Sequence, residues 1–147
     1  ISNAANKNRM NSSNTNSGGW TSCAMRSTHL PAILALMPTE VQNGIREVNK
    51  MTSAGSQSAN INTTADKLFL LSEIEIFGSV SYSKSGEGTQ YDYYEAGNSK
   101  VKKYNGGANY WWERSPGGSY STRFCAVGGA NYGNASGALG VAFGFCF

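Results

Sequence analysis

Charge is scarce in this sequence. Asp, Glu, Lys and Arg make up only 14% of its 147 residues, against ~25% in ordinary domains. The net charge of +3 is too small to create the basic field that nucleic acid calls for, so no nucleic-acid partner is expected. Lys100, Lys102 and Lys103 form the one basic cluster; they read as a solvated strand edge or turn, where lysines discourage sheet-to-sheet pairing. Histidine occurs once, at His29, and cysteine three times, at Cys23, Cys125 and Cys146, with no CxxC pair. A His/Cys metal site is therefore not expected. A calcium site needs several oxygen ligands together, and Asp66 and Asp92 stand isolated; no metal or other cofactor is assigned. An odd thiol count argues against a fully oxidised framework. Cys125 and Cys146 either bridge neighbouring strands or join Cys23 as buried thiols, the second reading being preferred. No apolar run approaches the ~20 residues of a membrane span, so no membrane insertion is expected. No signal peptide is visible, and a start at Ile1 is the expectation for an excised or processed fragment.

What the chain does have is glycine, 18 residues, and aromatic side chains, 12%. That balance is the opposite of a disordered composition. The length fits one domain with one core. Residues 1–18 are dominated by Asn, Ser and Lys, including Asn3, Asn6, Asn8, Asn11, Asn14 and Asn16, and read as a polar arm or linker. Trp20, Cys23, Ala24 and Ser27 share a helical face, limited by Pro31. Ala32–Leu36 continues as a second short helix, and Val41 and Ile45 follow Pro38 at helical spacing. Residues 45–51 read as a strand entering a polar loop, Thr52–Thr64, and Leu68–Leu71 as a buried strand. Ser72–Phe77 alternates Ile74 and Ile76 against Glu73 and Glu75, which describes a further strand with one polar face. Beyond residue 79 the pattern is strand, turn, strand, with turn signals at Asn105-Gly106-Gly107 and Pro116-Gly117-Gly118. Strands are expected at Tyr110–Glu113, Phe124–Val127 and Val141–Phe147. The sum is α+β: two short helices early, a mainly antiparallel sheet late, and long C-terminal loops.

Residues 105–147 hold ten of the 18 glycines and only three charged residues, Glu113, Arg114 and Arg123. From Gly117 to Leu139 almost every residue is Gly, Ala, Ser, Asn, Tyr or Thr, an alphabet too poor in apolar area to pack a core. Anchors bracket the tract: Trp111, Trp112 and Pro116 before it, and Val141, Phe143, Phe145 and Phe147 after it. The reading is an exposed loop surface pinned to a rigid frame. Tyrosine with Ser, Gly and Asn is also the alphabet of antibody combining loops, where the ring gives contact area at low rotamer cost.

The stretches Tyr110-Trp111-Trp112-Glu113-Arg114-Ser115-Pro116, Arg123-Phe124-Cys125-Ala126-Val127 and Gly140-Val141-Ala142-Phe143-Gly144-Phe145-Cys146-Phe147 resemble the end of a bacterial and phage domain family that includes variable proteins of diversity-generating retroelements. Gly19-Trp20, Met25-Arg26 and Leu70–Gly78 also match its pattern, so the resemblance covers residues 19–147. It implies a C-type lectin-like fold, related to formylglycine-generating-enzyme domains. It also implies adenine-directed diversification at chosen positions. On that basis Tyr110, Glu113, Tyr120, Thr122, Arg123, Ala126, Gly128, Tyr132, Asn134, Gly137 and Leu139 are the expected variable, ligand-contacting residues. Trp112, Arg114, Ser115, Phe124, Cys125 and Val127 would be the fixed frame. Glu113 stands where the family often carries an apolar residue. The implied role is a hypervariable receptor-binding display domain, on a phage tail fibre in the virion or, alternatively, on a bacterial surface or secreted as an adhesin. Its partner would be a protein or glycan receptor on a target cell, engaged through a homo-oligomer such as a trimer.

Bland roles compete with these. Adjacent strand residues face opposite ways, so one of Trp111 and Trp112 is expected in the frame and the other free to touch ligand. Arg114 is expected to pair within the frame rather than grip a ligand carboxylate. The chain is not expected to be an enzyme. His29 has no triad context, a Glu73/Glu75 glycosidase pair lacks support, and Gly128-Gly129 is no phosphate loop. The third reading, an enzyme related to formylglycine generators, rests on Cys125 and Cys146 alone.

Overall fold

The computed structural model describes residues 7–147. Its axis is the strand Trp111–Pro116 (β7), in which every residue is buried. It lies in the middle of a five-stranded sheet. Leu139–Gly140 (β10) and then Lys7–Asn8 (β1) lie on one side, and Arg123–Val127 (β8) and Tyr132–Asn134 (β9) on the other. All pairings are antiparallel except β10 with β7, which meet at Gly140 and Trp111. Three strand pairs surround this sheet: Val48–Ser53 (β2) with Ile61–Asp66 (β3), Phe69–Leu70 (β4) with Phe143–Gly144 (β11), and Lys102–Tyr104 (β5) with Gly107–Asn109 (β6). The helices are short: Gly19–Ser22 (α1), a π-helical turn Met25–His29, Leu30–Leu34 (α2), Thr39–Gly44 (α3), Glu73–Phe77 (α4) and Asp92–Glu95 (α5). Few short helices and largely antiparallel sheets make the fold α+β. Among the described residues no helix is long and apolar enough to cross a membrane.

The adjacent tryptophans explain the layering. Trp112 packs with Met10, Trp20, Met25, Leu30 and Phe124 beneath the N-terminal helices. Trp111, one residue away and facing oppositely, packs with Ile76, Tyr94 and Val127. Both faces of β7 are covered, so neither ring is free for ligand, contrary to the sequence expectation. Each indole N–H is satisfied by a backbone carbonyl, Trp111 by Lys100 at 3.0 Å and Trp112 by Asn8 at 2.7 Å.

Four further expectations are corrected. Asn3 and Asn6 of the expected arm lie outside the described residues, but residues 7–18 are built into the fold. Met10 and Asn16 are fully buried. Asn16 donates to the Tyr120 and Arg123 carbonyls, both at 2.7 Å, and accepts from Ser56 N at 2.8 Å, so one side chain ties the N-terminal segment to the C-terminal tract. The region expected as a polar loop, Thr52–Thr64, belongs mostly to the β2–β3 hairpin, paired from Val48–Asp66 to Ser53–Ile61. Ser72–Phe77 holds a helix, not a strand. Ser72 and Glu75 form a reciprocal capping box and Gly78 closes the helix at φ 71°, and this local chemistry overrides the two-residue alternation. Finally, all three cysteines are free; Cys23 and Cys125 are buried and Cys146 is exposed. Neither the bridge nor the all-buried reading holds. Of the closing aromatics, Phe143 packs against the core while Phe145 and Phe147 stay exposed.

Candidate functional site: a tyrosine face over buried carboxylates

The site rests on Arg114. Pairing of β7 with β8 shifts register between Trp112 and Pro116, and Arg114 N–H donates instead to Leu71 O at 2.9 Å. Such an irregularity re-aims side chains. The guanidinium, fully buried, donates to Glu75 through both terminal nitrogens, to the carbonyls of Leu70 at 2.9 Å and Glu87 at 2.8 Å, and to Thr52 Oγ1 at 3.1 Å. Lys50 reaches the same Glu75 at 3.1 Å and Tyr91 Oη at 2.6 Å. A buried ion pair survives only when surrounding bonds satisfy it, and here they do. The expected frame role of Arg114 is what the geometry displays.

Three more glutamates sit close by, and their environments differ. Glu73 accepts from the backbone N–H groups of Ser81, Tyr82 and Ser83 at 2.8–3.1 Å and from Ser83 Oγ at 2.7 Å. It thereby folds the loop 79–83 over the sheet. Glu87 accepts from Ser53 N at 2.8 Å and from Ser115 Oγ; burial raises its carboxyl above the ordinary range, against those bonds. Glu113 has no such support. It is 2% exposed, and its Oε2 has no hydrogen-bond partner among the described residues. Burial first, then the charges of Glu73 and Glu87, hold its carboxyl well above the usual range. Glu113, Glu73, Tyr82, Cys125 and Asn131 line a cavity of about 100 Å³. Burial and the same three glutamates raise the Cys125 thiol well above its ordinary value, so it is not a thiolate nucleophile at neutral pH.

Tyr82, on the wall of this cavity, joins a cluster of tyrosines beside it. Tyr132 meets Tyr82 edge to face at 5.2 Å between ring centres, and Tyr120 at 5.1 Å. Arg123 lies over Tyr120 at 4.3 Å. Tyr132 Oη donates to Tyr82 O at 3.1 Å, and burial, followed by its acidic neighbours, pushes its phenol up to about 12. The structure thus brings together Tyr120, Arg123 and Tyr132 of the expected contact residues. Asn134 is exposed on β9 opposite Arg123, and Thr122 is half-buried. Tyr110 is exposed, its ring lying against Gly128 and Gly129. Gly137 donates to Asn134 O at 2.7 Å in a turn.

Other expected contact residues fall elsewhere. Glu113 and Ala126 are buried and meet a ligand only through the cavity, because β7 and β8 are central strands. Leu139 packs partly into the main core. Gly128 has φ 94°, and a Cβ there would come within 2.4 Å of the Tyr110 ring, so this position is a turn requirement and not a diversifiable contact. Tyr82 and Asn131 are not among the residues expected from the sequence, and Glu73 enters there only as half of an unsupported glycosidase pair. Tyr82 carries a signal, since Ser81-Tyr82-Ser83 repeats the small-plus-Tyr alphabet of the C-terminal tract.

A family model matches residues 1–145. The chain belongs to the DUF6273 family, described as a domain of unknown function. No curated protein and no solved structure matches it. The chemistry available to this DUF6273 chain is therefore read from its own side chains: a rigid ion-paired frame, a buried acid facing a small cavity, and an aromatic rim. Among the described residues no three His, Cys, Asp or Glu side chains converge to hold a metal ion.

Proposed function

We propose that this chain is a ligand-binding display domain with a C-type lectin-like fold, contacting its target through the face built by Tyr82, Tyr120, Arg123, Tyr132 and Asn134. One observation carries the reading: a partly exposed cluster of edge-to-face tyrosines with a stacked arginine gathers where β8 begins and β9 pairs with it, in the same sheet as the strand that Arg114 immobilises. Aromatic and Arg anchors on rigid supports are where binding energy concentrates. The resemblance of the C-terminal tract to retroelement-diversified proteins supports variability at these positions. It makes the tip of a phage tail fibre, or a bacterial surface adhesin, the place such a domain serves, with a cell-surface protein or glycan as partner and oligomeric display raising weak affinity. The proposed mode of action is binding; burial and the neighbouring carboxyls raise the Cys125 thiol well above its ordinary value, which makes it a poor nucleophile.

The test is a binding screen of the purified chain against bacterial cells and a glycan array. Tyr120→Ala and Arg123→Ala should each weaken the strongest hit by on the order of tenfold or more, with the melting temperature nearly unchanged. Tyr93→Ala, an exposed ring on α5 (55% exposed), is the control. Equal effects from all three would remove the face from consideration. Separately, the encoding locus should carry a near-duplicate of the C-terminal segment differing at adenines; without it the diversification claim falls.

A further inference from the structure

Glu113 is placed against physical expectation. A carboxyl in a central strand, 2% exposed, with a buried oxygen that has no hydrogen-bond partner among the described residues, carries a desolvation cost that no described group offsets. The neighbouring carboxyls are handled differently. Glu73 is saturated by backbone and hydroxyl donors, Glu75 by Arg114 and Lys50, and Glu87 by Ser53 and Ser115. Of these four carboxyls, Glu113 is the one with a buried oxygen that has no partner among the described residues, and it lines the cavity of about 100 Å³ beside the tyrosine face.

The sign and shape of that cavity select the missing group. Glu73 from α4, Glu87 from the loop before α5 and Glu113 itself from β7 surround the cavity with carboxyls, and Cys125 from β8 feels all three; Arg114, which favours the charged form of Glu87, is ion-paired to Glu75. The walls that are not acidic are mixed: the rings of Phe77 and Tyr82, the Asn131 amide, Ser79 and Ser81, and the small side chains of Cys125 and Ala126; the rings and the amide suit a cation. The volume admits a compact head and a short stem.

We propose that the Glu113 cavity binds a primary alkylammonium group, the charged end of an amine-bearing ligand held by the tyrosine face beside it. The ammonium's donors complete the Glu113 carboxylate and its charge answers Glu73 and Glu87. This rests on the reading of that face as the contact surface and names the chemistry of what enters there. Because Glu113 holds a proton more tightly than an ordinary carboxyl, ammonium entry releases that proton, and affinity climbs as pH rises.

The experiment titrates the full chain with n-butylammonium chloride and follows the backbone amides of Ser81, Tyr82 and Asn131 by heteronuclear NMR. Saturable shifts at these amides are expected, with a dissociation constant on the order of millimolar. Affinity should rise between about pH 5 and about pH 8, where butylammonium stays charged. Glu113→Gln should bind on the order of tenfold or more weakly, and neutral 1-butanol should produce no saturable shift. Glu113→Met is a second variant expected to lose binding, and the spectra themselves report whether each variant is folded. Nα-acetyl-lysine methylamide and glucosamine form the arms that separate a peptide lysine from an amino sugar; binding by either supports the assignment, and the tighter identifies the carrier. Absence of saturable shifts in the wild-type chain, or equal affinity for butanol or in Glu113→Gln, overturns it. No macromolecular target enters this titration, so its failure is distinct from failure of the cell-binding comparison at Tyr120 and Arg123.

Discussion

Replacing Arg114 with methionine is the most demanding perturbation of the frame. The guanidinium is fully buried and Glu75 is 5% exposed, and removing one partner of a buried ion pair costs ~3–5 kcal/mol because the other charge is left uncompensated. Lys50 remains beside Glu75, which moderates that figure. The Leu70 and Glu87 carbonyls lose their guanidinium donors as well, each such loss being worth ~1–3 kcal/mol in isolation. These terms overlap, and a net destabilisation of about 5 kcal/mol is the working value. A domain of this size holds only ~5–15 kcal/mol in total, so Arg114→Met should lower the melting temperature by roughly 10–20 °C or leave the chain unfolded at 25 °C. Urea unfolding followed by circular dichroism measures it. The double variant Arg114→Met, Glu75→Met should be less destabilised than the two single losses summed, with a coupling of about 1–3 kcal/mol. A loss below about 1 kcal/mol in the single variant would put this pair in the class of solvated surface bridges and refute the description of Arg114 as the frame's centre.

Other measurements probe the surrounding parts. Glu113 has a folded-state affinity for protons above its unfolded one, so the native chain binds more protons and its stability declines as pH climbs from the ordinary carboxylate range through the raised value. Glu113→Gln should remove most of that decline and gain on the order of 1 kcal/mol near pH 8, while Glu87, also raised, leaves a residual slope; urea midpoints at acid and alkaline pH report it. Thiol titration of the native chain should find one fast cysteine, Cys146, with Cys23, pushed up to about 12 by burial, and Cys125 reacting only on denaturation. Gly133→Ala would put a Cβ within 2.3 Å of the Trp112 ring, and should cost about 1–3 kcal/mol by overpacking, read as a lowered urea midpoint and a changed near-ultraviolet tryptophan signal.

How far the sequence disclosed this arrangement depends on the range of the interactions involved. The strands around Trp111 and Phe124 were legible because apolar runs bounded by glycines and prolines carry their own signal. The Ser72–Phe77 segment misled because a helix of five residues is too short to display its period, and the capping box that decides it competes with an equally good two-residue alternation. Asn16 looked like part of a polar arm. Its burial depends on the carbonyls of Tyr120 and Arg123, more than a hundred positions away, and nothing local encodes that. The variable positions were placed by analogy between Tyr110 and Leu139. In β8 both faces are covered from Phe124 to Val127, a property set by distant segments, so the fold separates exposed Tyr120, in the turn before β8, from buried Ala126 within it.

The same separation of ranges bears on how such a domain tolerates change. A tract of Gly, Ser, Ala and Asn contributes little apolar burial, so its conformation must be imposed from outside. Here it is imposed by groups that lie elsewhere in sequence: Asn16 holding the Tyr120 and Arg123 carbonyls, Glu73 gathering the amides of residues 81–83 under Tyr132, and Arg114 fixing the strand beneath. None of these bonds ends on the side chain of Tyr120, Arg123 or Asn134. Substitution at those three positions therefore leaves the supports intact, and the stability of the frame is largely independent of which side chains the face presents. Glu113 is the exception, since it belongs to the frame by position and to the face by the cavity it lines, and a change there alters both at once.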